Sequence, residues 1–173
     1  DWINNANIQE IYSVIKNYGE EPKAKKITNK IIFFRKKKKI TTTTDLVEII
    51  KIAYGYTKNI NKVLSRVFQS FRIFINNELE ELNVFLNKVI DYLDINGVIV
   101  VISFHSLEDR IVKRFFNSIT SDSISKQIPL KTTELKHIKF INLSKPIKPT
   151  FDEVKNNPRA RSAIMRAAKR RNL

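Results

Sequence analysis

Residues 97–116 read GVIVVISFHSLEDRIVKRFF. Val98 to Ile102 is an unbroken apolar run dominated by β-branched residues, the pattern of a strand buried on both faces, as in the middle of a parallel sheet. Polar character begins abruptly at Ser103-Phe104-His105-Ser106. Ser106 with Asp109 three residues on has the form of a capping box, and Leu107, Ile111, Val112, Phe115 and Phe116 follow at helical spacing. The stretch therefore reads strand, short turn, amphipathic helix. In open α/β sheets ligands gather at the carboxyl ends of strands, which is where His105 and Ser106 stand.

Working outward, the preceding segment from Glu78 to Leu93 carries Leu79, Leu82, Leu86, Val89, Ile90 and Leu93 on one helical face. Asp94-Ile95-Asn96-Gly97 is a turn from that helix into the strand. Further back, Ile60 to Asn76 has the strongest periodicity of the chain, with Ile60, Val63, Leu64, Val67, Phe68, Phe71, Phe74 and Ile75 forming an apolar stripe. At about 100° per residue its opposite face gathers Lys62, Arg66, Gln69, Arg72 and Asn76. This polar stripe admits two readings, an ordinary solvent face or a surface that meets a nucleic-acid backbone or lines a cleft.

Earlier helices follow the same logic. Asn7 with Glu10 caps a helix bearing Ile8, Ile11, Tyr12, Ile15 and Tyr18, with Gly19 at its C′ position. Pro22 opens a second, with Ala24, Ile27 and Ile31 on one face. It runs into Arg35-Lys36-Lys37-Lys38-Lys39, which is either a phosphate-binding patch or a helix end whose cations suit the macrodipole. Thr41 to Thr44 stop it, Asp45 with Glu48 caps a third helix through about Ala53, and residues 54–61 read as a loop. Beyond the central stretch, residues 117–136 look irregular, residues 139–143 have strand character, and Thr150 with Glu153 caps a short helix that stops before Pro158. Local propensity makes 159–171 helical. The chain thus divides into an all-helical portion, residues 1–76, and an α/β portion, residues 77–173.

The totals bound the partners. Of 173 residues 32 are Lys or Arg and 17 Asp or Glu, a formal net charge of +15, which favours a polyanionic partner, nucleic acid first and an anionic membrane second. No cysteine is present, which excludes disulfides, thiolate metal sites and a cysteine nucleophile. Three glycines form no phosphate cradle. No apolar run approaches the roughly 20 residues of a membrane helix, so the expected location is the cytoplasm. His105 admits the roles of base, hydrogen-bond donor, ligand or backbone-bonded structural residue, and no metal-ligand set accompanies it. Ser106 lacks the glycine-flanked elbow of a serine nucleophile. His137 takes no role. Arg159, Arg161 and Arg166 suit phosphate, an internal partner or a basic tail.

These motifs together resemble the family of bacterial small-subunit ribosomal RNA cytidine N4-methyltransferases. The residues 97–116 resemble that family's signature, Tyr18-Gly19-Glu20-Glu21 its YGEE segment, and Thr42-Thr43-Thr44 with Leu46 its threonine-rich segment. Arg66-Val67-Phe68-Gln69, Arg72-Ile73 and Asn76-Asn77-Glu78-Leu79 resemble its RTFQALRIxVNxEL run, and Asn157-Pro158-Arg159-Ala160-Arg161-Ser162 its closing NPRARS. Two departures stand out: Lys62 and Val63 replace a usual His-Pro, and Ala163-Ile164-Met165 replaces a usual Ala-Lys-Leu.

The resemblance implies a class I, Rossmann-like methyltransferase fold with an inserted helical domain, S-adenosylmethionine as cofactor, no metal, and 16S ribosomal RNA of the small subunit as partner. It implies that this chain holds most of the insertion and the C-terminal part of the sheet, with the glycine-rich cofactor loop lying upstream of Asp1. It further implies a late antiparallel strand from Arg161 to about Arg166, against local propensity. Candidate site residues are His105 and Ser106 at the transfer site, with Arg66, Gln69, Arg72, Asn76, Glu78, Arg159, Arg161 and Ser162 toward RNA. The expected isolated chain is inactive, fails to bind S-adenosylmethionine and is prone to aggregate along its strand edge. The alternative is a non-catalytic RNA-binding remnant using the basic helical region.

Overall fold

The strand Val98–Ser103 (β1) pairs along one edge only among the described residues, and its partner is antiparallel. The computed structural model describes residues 1–55, 57–120 and 140–171. By its internal contacts the chain forms two units, Asp1–Glu78 and Leu79–Leu173.

The first unit is helical: α1 (Trp2–Asn5), α2 (Ile8–Gly19), α3 (Ala24–Arg35), α4 (Thr43–Tyr54) and α5 (Ile60–Ile75). Asn7 accepts the N–H of Glu10 at 2.8 Å to start α2, as its sequence indicates. The αL residue closing α2 is Glu20, φ 47°, rather than Gly19. Gly19 serves a different purpose: a Cβ there would sit 2.9 Å from the Arg66 carbonyl oxygen and 3.3 Å from Ser70 Cβ, so its bare backbone lets α2 lie against α5. The cap of α4 is Thr42 with Asp45, reciprocally hydrogen-bonded, rather than Asp45 with Glu48. Ile11, Ile15, Ile27, Ile31, Ile50, Val63 and Val67 form the core, each excluded from solvent by the three- and four-residue spacing of its own helix.

The second unit begins with α6, whose helix spans Glu78–Val89 and tightens into a 3₁₀ turn at Ile90–Tyr92 instead of continuing to Leu93. Asn96, φ 69°, and Gly97 make the turn into β1; a Cβ on Gly97 would stand 2.8 Å from the Asp94 carbonyl. After β1 come α7 (Ser106–Thr120), β2 (Phe140–Asn142), α8 (Phe151–Asn156), a 3₁₀ turn (Pro158–Ser162) and β3 (Ile164–Arg170). Thr150 caps α8 by accepting the Glu153 N–H at 3.2 Å. The sheet order is β1-β3-β2, with both pairings antiparallel and Val101 opposite Arg166.

Several expectations change here. The strand buried on both faces in a parallel sheet is instead half-covered: Ile99 and Ser103 face the core, while Val98, Val100 and Ile102 stand about half exposed. Ile99 clusters with Val112, Phe115, Phe116, Ile119 and Ala168. Residues 164–170 are a strand, because pairing to both β1 and β2 outweighs the helix preference of Ala167 and Ala168. The strand implied from Arg161 therefore begins later, at Ile164, and Arg161 and Ser162 lie in the 3₁₀ turn. Residues 117–120 belong to α7 rather than to a loop. The remainder of that expected loop and His137 lie outside the described residues.

Candidate active site

At the carboxyl end of β1 the backbone turns directly into α7, and His105 rather than Ser106 caps the helix. His105 Nδ1 accepts the N–H of Glu108 at 3.2 Å, and the His105 carbonyl accepts the N–H of Asp109 at 3.1 Å. Glu108 returns the contact: its Oε2 accepts the N–H of Phe104 at 2.8 Å and that of His105 at 3.4 Å. This is the reciprocal logic of a capping box with histidine as the capping side chain. Ser106 becomes the first residue of α7 and is solvent-exposed.

That capping fixes the imidazole. With Nδ1 occupied as an acceptor, the proton of the neutral ring resides on Nε2. The His105 side chain is 10% exposed, and Nε2 is buried without a hydrogen-bond partner. Glu108 Oε1 lies 3.2 Å from Nε2 but without the alignment of a hydrogen bond. Burial pushes the Glu108 carboxyl upward; the adjacent His105 side chain and the N–H groups of Phe104 and His105 outweigh it and hold the carboxyl below its ordinary value. Two residues earlier, the Ser103 hydroxyl is also buried without a partner. Uncompensated buried polar atoms are costly, and these two share that condition with the Thr28 hydroxyl of α3 among the described residues.

Behind this turn, Asp109 of α7 holds Arg166 of β3 through two parallel hydrogen bonds of 2.9 and 3.0 Å. Arg166 is thus an internal partner of the sheet-helix joint. Arg170 donates to the Leu93 carbonyl and ties β3 to the turn before β1. Arg159, Arg161 and Ser162 are exposed on the 3₁₀ turn preceding β3.

In the helical unit the expected polar stripe is divided. Arg66 donates through Nε at 2.9 Å and Nη2 at 2.5 Å to Oε2 of Glu21, a side chain with no solvent exposure. Glu21 Oε1 accepts the Lys23 N–H at 3.0 Å. The stripe's central arginine therefore closes the α2–α3 turn onto α5. Arg72 binds Glu78 with both Nε and Nη2, at 2.7 and 3.1 Å, and Asn76 donates to the same carboxylate at 3.3 Å. Gln69 is half-buried and Lys62 exposed.

Sequence reasoning missed Glu21 as the partner of Arg66 and Ser103 as an unpaired hydroxyl. A signal for the first existed: a glutamate just after the αL position of a helix, before a proline, cannot follow the helix outward. Nothing in the sequence distinguishes Ser103 from an ordinary strand terminus.

A three-stranded sheet backed by α7, with a buried, capped histidine at a strand end, is a mixed α/β arrangement consistent with a methyltransferase. The model of the MraW methylase family matches residues 1–171, and the chain belongs to that family. Its relatives include proteins named ribosomal RNA small subunit methyltransferase H. That of Coxiella burnetii (strain Dugway 5J108-111) is 43% identical over 95% of this chain and 53% of its own length. Those of Wigglesworthia glossinidia brevipalpis and Dechloromonas aromatica (strain RCB) are 44% and 40% identical, each over 98% of this chain and 56% of the relative. The chain spans about half the length of these relatives.

Proposed function

We propose that this chain is the later portion of an S-adenosylmethionine-dependent enzyme that methylates the N4 amine of a cytidine in the decoding region of small-subunit ribosomal RNA. The match of the family model across residues 1–171 carries this reading. Residues 1–76 are then an inserted helical domain, and residues 77–173 the closing part of a Rossmann-like domain.

S-adenosylmethionine supplies an electrophilic methyl group when bound. The three glycines of this chain stand apart in sequence and form no adenosyl-binding loop, so the residues described here fit the acceptor side of the reaction rather than the cofactor pocket. On that side the requirement is orientation, because the exocyclic amine of cytosine is a weak nucleophile whose lone pair is delocalised into the ring. The His105 ring is fixed in direction by the Glu108 N–H on Nδ1, and its buried Nε2 stands 3.2 Å from Glu108 Oε1, so it meets cytosine N3 or O2 once that carboxylate moves aside. The Ser103 hydroxyl, on the covered face of β1, supports the strand end behind His105. In this tautomer His105 positions the base and does not take its proton. Ser106 stands at the same edge. Arg159, Arg161 and Ser162, with Gln69, face RNA; Arg66, Arg72, Asn76 and Glu78 act by holding the helical unit in shape. No described helix is long and apolar enough to cross a membrane.

The test is transfer of labelled methyl from S-adenosylmethionine to small ribosomal subunits by the complete protein. His105→Ala abolishing transfer while retaining cofactor binding supports the reading; wild-type transfer by that variant refutes the role of His105.

A further inference from the structure

We propose that the solvent face of α3 and the turn after it form a track for single-stranded RNA, separate from the strand-end site and resting on the reading that the substrate is RNA. Between Lys23 and Lys39 the sequence has nine Lys or Arg and no Asp or Glu. The buried face of α3 is Ala24, Ile27, Thr28 and Ile31. Its exposed face carries Lys25, Lys26 and Phe33, with Lys30 at its margin, and Lys36 and Lys37 continue it into the turn.

Helix stability does not account for these cations. Lysines in the last turn complement the macrodipole, but Lys25 and Lys26 lie in the first turn, where cations are disfavoured and where α3 has no acidic residue. Phe33 is 48% exposed and is braced edge-on by Phe34 at 5.4 Å between ring centroids. The Lys37 ammonium lies 4.4 Å and the Lys30 ammonium 5.5 Å from the Phe33 ring centroid. Both ammonium groups lie over the Phe33 ring, so a base that stacks there displaces them from the ring, and the displaced charges meet the phosphates on either side of it. Lys39 lies 3.7 Å from Asp1, and Lys37 and Lys38 both border the hollow that holds Asp45 and Glu48, so the cations after α3 have acidic neighbours that Lys25 and Lys26 in its first turn lack.

The same charges would attract an anionic bilayer, but the apolar stripe of α3 is spent in the core. One exposed phenylalanine is not the apolar face that an interfacial helix inserts. A backbone-tracking, base-stacking strand fits better.

The experiment is fluorescence anisotropy of the complete protein with a short unstructured RNA across a salt series, in parallel with phosphatidylglycerol-containing vesicles. The triple variant Lys25→Gln, Lys26→Gln, Lys37→Gln is compared with Lys88→Gln, Lys113→Gln, Lys155→Gln, which removes the same charge from exposed positions elsewhere. With about 0.7 counterions released per phosphate contact, the α3 triple lowers the slope of log K against log salt by about 2, and the control leaves it nearly unchanged. Phe33→Ala weakens binding by roughly tenfold at every salt concentration without changing the slope. Equal losses from the two triples overturn the proposal, as does RNA binding unaffected by the α3 triple. So does vesicle binding lost with that triple while RNA binding persists. Because methyl transfer by the complete protein is measured separately, failure here leaves the catalytic reading standing.

Discussion

Arg166 on β3 and Asp109 on α7, 57 residues apart, are joined by a fork of two hydrogen bonds, Nε to Oδ1 at 2.9 Å and Nη2 to Oδ2 at 3.0 Å. The pair is 14% and 18% exposed, and it anchors the helix that His105 caps to the strand that pairs with β1. Removing one partner strands the other in a mostly dry joint. Arg166→Ala and Asp109→Asn are each expected to cost about 2–3 kcal/mol, with strong non-additivity in the double variant. Urea denaturation of all four species measures this. Additive losses below about 0.5 kcal/mol would show the fork to be incidental.

Glu21 and Arg66 make the corresponding lock in the helical unit. Because the Glu21 side chain has no exposure, Arg66→Gln is expected to destabilise by about 3 kcal/mol, and Arg66→Lys to recover only part of it, since an ammonium cannot reproduce the fork. Thermal melts, read beside RNA affinity, check this. A change in RNA binding with an unchanged melting temperature would return Arg66 to the role of an RNA contact.

The same contact between α2 and α5 governs Gly19. Gly19→Ala places a methyl 2.9 Å from the Arg66 carbonyl and forces backbone apart, at a cost of about 1–3 kcal/mol. Gly55→Ala meets no atom within 4 Å, but φ +78° with ψ −176° is backbone essentially reserved for glycine, and a side chain there costs about 1–3 kcal/mol. Chemical denaturation should therefore show both variants destabilised to a similar extent; a Gly19→Ala variant as stable as wild type would contradict the close approach of α2 to α5.

How much was legible follows from these residues. Helix faces were readable because burial and periodicity are the same fact along one helix, as with Val63, Val67 and Phe71. The start of α7 was legible to within one residue. Its capping side chain was not, because Ser106 and His105 are both polar and the backbone geometry chose the histidine. Strand β3 was invisible to propensity, since Ala167, Ala168 and Lys169 favour a helix until two neighbouring strands pair with them. The polar stripe of α5 was correctly located but its purpose was hidden. Arg66 is claimed by Glu21, 45 residues away, and that meeting exists only once α2, α3 and α5 have packed.

Acid sensitivity follows from two carboxylates held below their ordinary values. Asp45 is lowered by the Thr42 backbone and side chain and the Thr41 N–H; for Glu108, burial opposes the lowering and the contacts with His105 and Phe104 win. A depressed folded-state value stabilises the fold above the unfolded values, 3.8 and 4.5, and the contribution is lost as pH falls through the folded ones. Stability should be flat in these terms from neutral pH to about 5 and decline below about 4. Glu108→Gln should flatten part of that decline in acid titrations followed by circular dichroism; an unchanged acid limb would contradict the capping role of Glu108.

In the proposed enzyme the end of β1 presents a cytidine amine for methylation. The most direct measurement is single-turnover transfer of labelled methyl to small ribosomal subunits by the complete protein, with mapping of the modified base, for wild type, Ser103→Ala and His105→Ala. The proposed function predicts modification at one cytidine N4, loss of at least a hundredfold in rate for His105→Ala, a smaller loss for Ser103→Ala, and unchanged S-adenosylmethionine binding in both. Wild-type rates in both variants, or methylation at an atom other than a cytidine amine, would contradict it.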